Sequence, residues 1–162
     1  MFNNINKQII GNIGLYYSAF KLSTLGFNVM VTSRNAKGAD LIAVSENEKK
    51  FIGIQVKTNS SEMDIRLTSN FSHPTVDYWI IIYNVFNNPN SFIIPAEDIL
   101  KSHSNLINKP SLNGSILVCA DNVNKNGSQN FWIYKKFLIK DKELCKNNLP
   151  YKYYENWDIL LK

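Results

Sequence analysis

From residue 5 to residue 25 the apolar side chains return every three or four positions. Ile9, Ile13, Tyr16, Tyr17 and Phe20 carry the pattern, and that period places them on one face of a helix. Gly26 stands where a helix-ending glycine belongs. Lys21 lies in the last turns, where a cation suits the negative end of the helix dipole. Gly11 and Gly14 fall inside this helix, each at a cost of about 1 kcal/mol relative to alanine. Close packing or the close approach of a ligand has to offset that cost.

Beyond Gly26 the period shortens to two. Strands are expected at 27–32, 39–45 and 51–58, the last two joined by the turn Glu46-Asn47-Glu48-Lys49-Lys50. Residues 59–76 read as a polar loop. Residues 78–86 form the most apolar strand, expected at the sheet centre. A turn at Asn87-Asn88-Pro89-Asn90 leads to a short return strand, Ser91 to Ile94. Pro95 then opens a helix running to about 107, with Glu97 and Asp98 at its positive end. Short strands at 115–119 and 131–134 follow, then a helix near 154–161 docked by Trp157 and Leu160. Helix, strands, helix and mixed elements in that order make an α/β (α+β) domain, a mixed central β-sheet flanked by helices. No repeat or low-complexity linker divides residues 1–162, so one domain is expected.

Composition narrows the class. A chain of 162 residues buries about 70% of its unfolded surface. Aromatic residues make up 12%, too many for a disordered chain. Cys119 and Cys145 are the only cysteines and lack CxxC spacing, which excludes a disulfide-stapled miniprotein and points to buried or inert thiols. No apolar run approaches the roughly 18 to 20 residues of a membrane span, and MFNNINKQII lacks the layout of a secretory signal. A cytoplasmic protein without a membrane partner is expected. The net charge of +5 permits a polyanionic partner without demanding one. Asparagine is the commonest residue, a coding bias that leaves little functional signal in any single one. His73 and His103 have no cysteine or histidine at metal-ligand spacing, so no zinc site is expected.

The chemistry gathers around one hairpin. Asp40 opens the 39–45 strand, while Gln55 and Lys57 share a face of the next one. A hairpin brings the carboxylate, the amide and the ammonium to one end of the sheet. Mg2+ could take Asp40, the Gln55 side-chain oxygen and a backbone carbonyl, that of Val56, and complete its shell with water and phosphate. Lys57 would then stabilise negative charge and orient the attacking water. Spacing alone more often marks an ordinary solvated strand face. Arg34 and Lys37, flanking the loop before Asp40, are candidates for phosphate contacts or for a solvated turn. Lys49 and Lys50 read as turn charges offsetting Glu46 and Glu48. Tyr151, Tyr153, Tyr154 and Trp157 either stack on bases or, more often for such a cluster, pack a terminal helix.

These segments resemble a family. Gly11-Asn12-Ile13-Gly14-Leu15-Tyr16-Tyr17, the helix end Leu25-Gly26-Phe27, Gly38-Ala39-Asp40-Leu41-Ile42-Ala43 and Ile54-Gln55-Val56-Lys57-Thr58 are similar to the PD-(D/E)XK nuclease superfamily. The match is to small Holliday-junction-resolvase-like and restriction-endonuclease-like domains, and is strongest over residues 7–58. The resemblance implies a four-stranded mixed sheet flanked by helices, with a nuclease core over about 5–100 and an extension over about 101–162. It implies metal-dependent hydrolysis of DNA phosphodiesters in repair, recombination or defence. Asp40 matches the metal-binding aspartate, Gln55 the acidic-or-glutamine position and Lys57 the lysine. The implied cofactor is Mg2+ or Mn2+, the implied partner DNA, and a homodimer is common among related small nucleases. Leu15 stands where the family often has a helix glutamate, and residues 1–39 contain no Asp or Glu. With one carboxylate the metal is expected to bind weakly without substrate. The alternatives are a nuclease fold kept for nucleic-acid binding, or for a protein partner in an immunity or inhibitor role.

Overall fold

The structure, a computed structural model, describes residues 5–33, 38–47, 49–67, 75–108, 118–120, 131–133 and 152–162. Arg34, Lys37, His73, Cys145 and Tyr151 lie outside the described residues, as do the side chains of His103 and Cys119.

Helix α1 spans Lys7–Thr24. Asn6 caps its start, accepting the Gln8 N–H at 2.9 Å. Its end is the glycine-terminated turn expected from the sequence: Gly26 has φ +87, its N–H donates to Ser23 O at 3.0 Å, and the Phe27 N–H donates to Leu22 O at 3.2 Å.

Strands β1 (Asn28–Val31), β2 (Leu41–Val44), β3 (Phe51–Thr58), β5 (Tyr78–Tyr83) and β6 (Asn90–Pro95) form one sheet in the order β1-β2-β3-β5-β6. Only β3 and β5 run parallel; the other neighbours are antiparallel. The sheet therefore has five strands rather than four, and its centre is β3, with β5 one place out. Strand β5 ends at Tyr83, where Asn84 takes a positive φ of 55 and turns the chain. Pro95 closes β6 instead of opening the helix α2 (Ala96–Asn108). That is tolerated because β6 is an edge strand, so the missing N–H costs no ladder bond on its outer side.

A second sheet, in the order β4-β8-β7, joins β4 (Ile65–Arg66), β7 (Val118–Ala120) and β8 (Phe131–Ile133). Strand β4 falls within the segment expected to be loop. Two residues of pairing with β8 are too short to leave a period in the sequence.

The large sheet has a core on each face. One unites Leu22 and Phe27 with Leu41, Ala43, Ile52, Ile54, Ile80, Ile82 and Ile93, closed by Trp157 and Leu160. The other gathers Trp79, Ile81, Tyr83, Phe92 and Ile94 with Ile65, Ile99, Ile133 and Tyr153. The last helical segment is a short 3-10 turn, Trp157–Leu161. Lys50 Nζ ties it down by donating to Leu160 O at 2.9 Å. Tyr153 and Trp157 are buried, so these two pack the core rather than stack on a ligand. Among the described residues no helix is long and apolar enough to cross a membrane.

The buried side of α1 matches the expected one only in part. Ile13 and Tyr17 pack against the core beside the buried Gly14, Ser18 and Leu22, whereas Ile9, Tyr16 and Phe20 are exposed. Small residues set the contact: a Cβ on Gly14 would lie 1.8 Å from Thr58 Oγ1. Such close approach of helix to sheet displaces the bulky side chains to the flanks.

Candidate active site

Asp40 sits just before β2, where the β2–β3 ladder ends. Its backbone N–H donates to Ile54 O at 2.8 Å, and its carbonyl accepts the Thr32 N–H at 3.0 Å. Thr32 Oγ1 also donates to Ala39 O at 2.7 Å. Both flanking strands thus fix the Asp40 backbone before its side chain is considered.

The carboxylate then extends the ladder by one step. Asp40 Oδ2 accepts the Val56 N–H at 2.8 Å and is hydrogen-bonded by Gln55 Nε2. In a strand the N–H and C=O of one residue point to the same side, so the Val56 carbonyl faces the same open edge as its N–H. Gln55 Oε1 accepts no hydrogen bond from the described residues. Asp40, Gln55 and Val56, separated by up to 16 positions in sequence, are therefore brought together; of the carboxylate, amide and ammonium expected at the hairpin, the first two meet.

Lys57 lies two residues along the same face of β3 as Gln55. Its ammonium stands 5.6 Å from the centre of the Trp79 ring, and Trp79 is the register partner of Gln55 on β5. Among the described residues no hydrogen bond or ion pair joins Lys57 to Asp40.

The donors open to a divalent cation are the second Asp40 oxygen, Gln55 Oε1 and the Val56 carbonyl. Three hard oxygens fit Mg2+, which binds few protein ligands and retains water. Among the described residues no group of three His, Cys, Asp or Glu side chains converges, so the donor set carries a single negative charge.

A homing endonuclease shares this fold. The solved structure of the bacterial homing endonuclease I-Ssp6803I superposes with a TM-score of 0.57 at 14% identity, over 97% of this chain and 94% of that one. No family model matches the chain, and no curated protein matches it in sequence.

Asp40 and Val56 line a cleft of about 380 Å³ between α1 and the sheet edge. Leu15 lines it too, so the helix position where a carboxylate was sought faces the cleft with an apolar side chain. Gly11, singled out in the sequence, lines it as well, together with residues that the sequence did not mark for the site: Lys7, Gln8, Asn12 and Tyr16 from α1, with Val31 and Thr32 opposite. The signal was present, since positions 7, 8, 11 and 12 share a helix face. Polar residues on an amphipathic helix look like its solvated side until the sheet is placed beside them.

Proposed function

We propose that this chain is a metal-dependent DNA endonuclease of the PD-(D/E)XK type, hydrolysing phosphodiester bonds. The observation that carries the reading is the convergence of Asp40, Gln55 and Val56 at the end of the β2–β3 ladder, beside an open cleft. The fold shared with a homing endonuclease supports it. The catalytic unit falls within about residues 5–100.

Asp40, the Gln55 amide oxygen and the Val56 carbonyl would hold the cation. Bound Mg2+ or Mn2+ supplies Lewis-acid polarisation of the phosphate and a more acidic water. The Val56 N–H and Gln55 Nε2 hold one Asp40 oxygen and so direct the other outward. Lys57 places a positive charge beside the reacting phosphate, where it stabilises the charge that develops as water attacks. With a single carboxylate this donor set would bind a divalent cation weakly without substrate.

Leu15 favours a second reading, in which the fold binds nucleic acid without cutting it. Incubating plasmid and branched DNA with the protein in Mg2+ or Mn2+, beside Lys57→Ala, separates the two. Cleavage by the parent and not by the variant supports the endonuclease. Salt-sensitive binding without cleavage by either supports the binding module, and neither binding nor cleavage removes both.

A further inference from the structure

The wall of the cleft opposite Asp40 has three features that the placement of the metal leaves unexplained. The first is Gly11. Apart from proline, glycine is the poorest helix former, and an interior glycine normally answers a need of the fold. Gly14 does so, because any side chain there would strike Thr58. At Gly11 a Cβ would meet no described atom within 4 Å, and the backbone is not in the left-handed region. Nothing among the described residues requires a glycine at this position, and the residue faces the cleft.

The second feature is its surroundings. Lys7, Gln8 and Asn12 line the same cleft, and no side-chain hydrogen bond or ion pair engages them among the described residues. All three present N–H donors: an ammonium and two amides. The third is charge. Residues 1–39 contain Lys7, Lys21, Arg34 and Lys37 and no acid, whereas residues 40–162 contain 14 basic and 13 acidic residues. Of these cations Lys7 lines the cleft, while Lys21 lies by Tyr17 and Trp157, and no acid from residues 1–39 offsets Lys7.

We propose that the α1 face bearing Lys7, Gln8, Gly11 and Asn12 is a track for the sugar–phosphate backbone of a nucleic-acid strand leading to Asp40. Gly11 is the point of closest approach, and Lys7 and the two amides donate to phosphate oxygens on either side of it. This rests on the nucleic-acid reading above. Phosphate contacts of this kind position a strand and carry no base sequence, so the track sets where the strand lies rather than which sequence is chosen. An acidic protein surface would also meet the positive charge. It would not explain a bare helix backbone at the centre of the donors, which suits a narrow chain passing over the helix.

The test measures binding of a labelled oligonucleotide in Ca2+ across a salt series, with melting temperatures for each variant. Gly11→Ala and Gly11→Leu are expected to melt at or above the parent temperature, because the added side chain meets empty space and improves helix propensity. Gly11→Leu is expected to weaken binding by about tenfold or more, with Gly11→Ala in between. Lys7→Ala is expected to lower the slope of log affinity against log salt by about 0.7 to 0.9, the share of one phosphate. Poly-glutamate is expected not to displace the oligonucleotide at equal charge. Parent-like binding by Gly11→Leu, an unchanged slope for Lys7→Ala, or equal competition by poly-glutamate overturns the track. If the parent cleaves and binds while these variants match it, only the track falls. If the parent does not bind, the nucleic-acid reading falls with it.

Discussion

The Lys57 ammonium lies over the indole of Trp79, 5.6 Å from the ring centre, and Trp79 stands opposite Gln55 across the only parallel pair in the large sheet. A cation held against an aromatic face gains about 0.5 to 2 kcal/mol, more as water is excluded. Trp79 is buried, so the ring cannot follow a wandering lysine. On the endonuclease reading this makes Trp79 a positioning residue for Lys57. Trp79→Leu is expected to lower kcat about tenfold with little change in KM, while Trp79→Phe keeps most of the rate. Steady-state cleavage with all variants well below their melting points checks this, and equal loss in both variants would show that only packing was disturbed.

Gln55→Glu should tighten the metal. It adds a second carboxylate beside Asp40, and charge count is a main determinant of divalent affinity. The Mg2+ concentration for half-maximal cleavage is expected to fall by about tenfold, roughly 1.4 kcal/mol. A titration of cleavage rate against Mg2+ measures it. An unchanged midpoint would mean that Gln55 does not face the ion.

Gly14→Ala should damage the fold. The new methyl carbon would overlap Thr58, 1.8 Å from Oγ1 and 2.7 Å from Cβ, and Thr58 is held in the β3–β5 ladder. Overpacking of this kind costs about 1 to 3 kcal/mol. Urea unfolding should therefore show a lower midpoint for Gly14→Ala, the opposite sign to the change expected at Gly11.

Acid should weaken the protein partly through Asp98. Burial alone would push its carboxyl up, but the hydrogen bonds from Tyr153 and Lys152 and the charges of Lys152 and Lys101 hold it below the ordinary value. A lowered carboxylate stabilises the fold above its unfolded value of about 3.9, and that contribution is lost as pH falls through the folded value. The partner Tyr153 shifts upward through burial and through its bond to Asp98, so its contribution is present below about 10 and lost above it. Asp98→Ala leaves the buried Tyr153 hydroxyl without its acceptor and should cost about 1 to 3 kcal/mol at neutral pH. The same variant should flatten the acid limb of stability against pH; an unchanged limb would exclude Asp98 as its source.

Local chemistry was legible in the sequence wherever one residue fixes one geometry. Gly26 marked the end of α1, and the turn after Val44 fixed the β2–β3 hairpin. The alternation through Gln55 and Lys57 put both on one face. What could not be read depends on partners distant in sequence. The side of α1 that is buried follows from Gly14 meeting Thr58, 44 positions away; the apolar period holds for Ile13 and Tyr17, which pack on the core, and fails for Ile9, Tyr16 and Phe20. The place of β5 beside β3 follows from a parallel crossover, which no local pattern announces. The same holds for the site. Asp40, Gln55 and Val56 are neighbours across one hairpin and were found together, whereas Trp79 and the α1 wall needed the whole sheet.

The two edges of the large sheet are not alike. Along β6, Tyr154 bridges Phe92, the Glu155 N–H donates to Ser91 O at 2.8 Å, and the Glu155 carboxylate takes the Ser91 N–H. Along β1, no described strand pairs on the outer side, and Met30 and Val31 are exposed. An edge that is already occupied cannot template another chain. Among the described strands of the large sheet, β1 is therefore the open edge: two copies meeting through it leave no further open edge in that sheet, so a contact of this kind closes as a pair instead of propagating as a fibre. Removing residues 152–162 would undo that asymmetry and turn a self-limiting contact into an open-ended one.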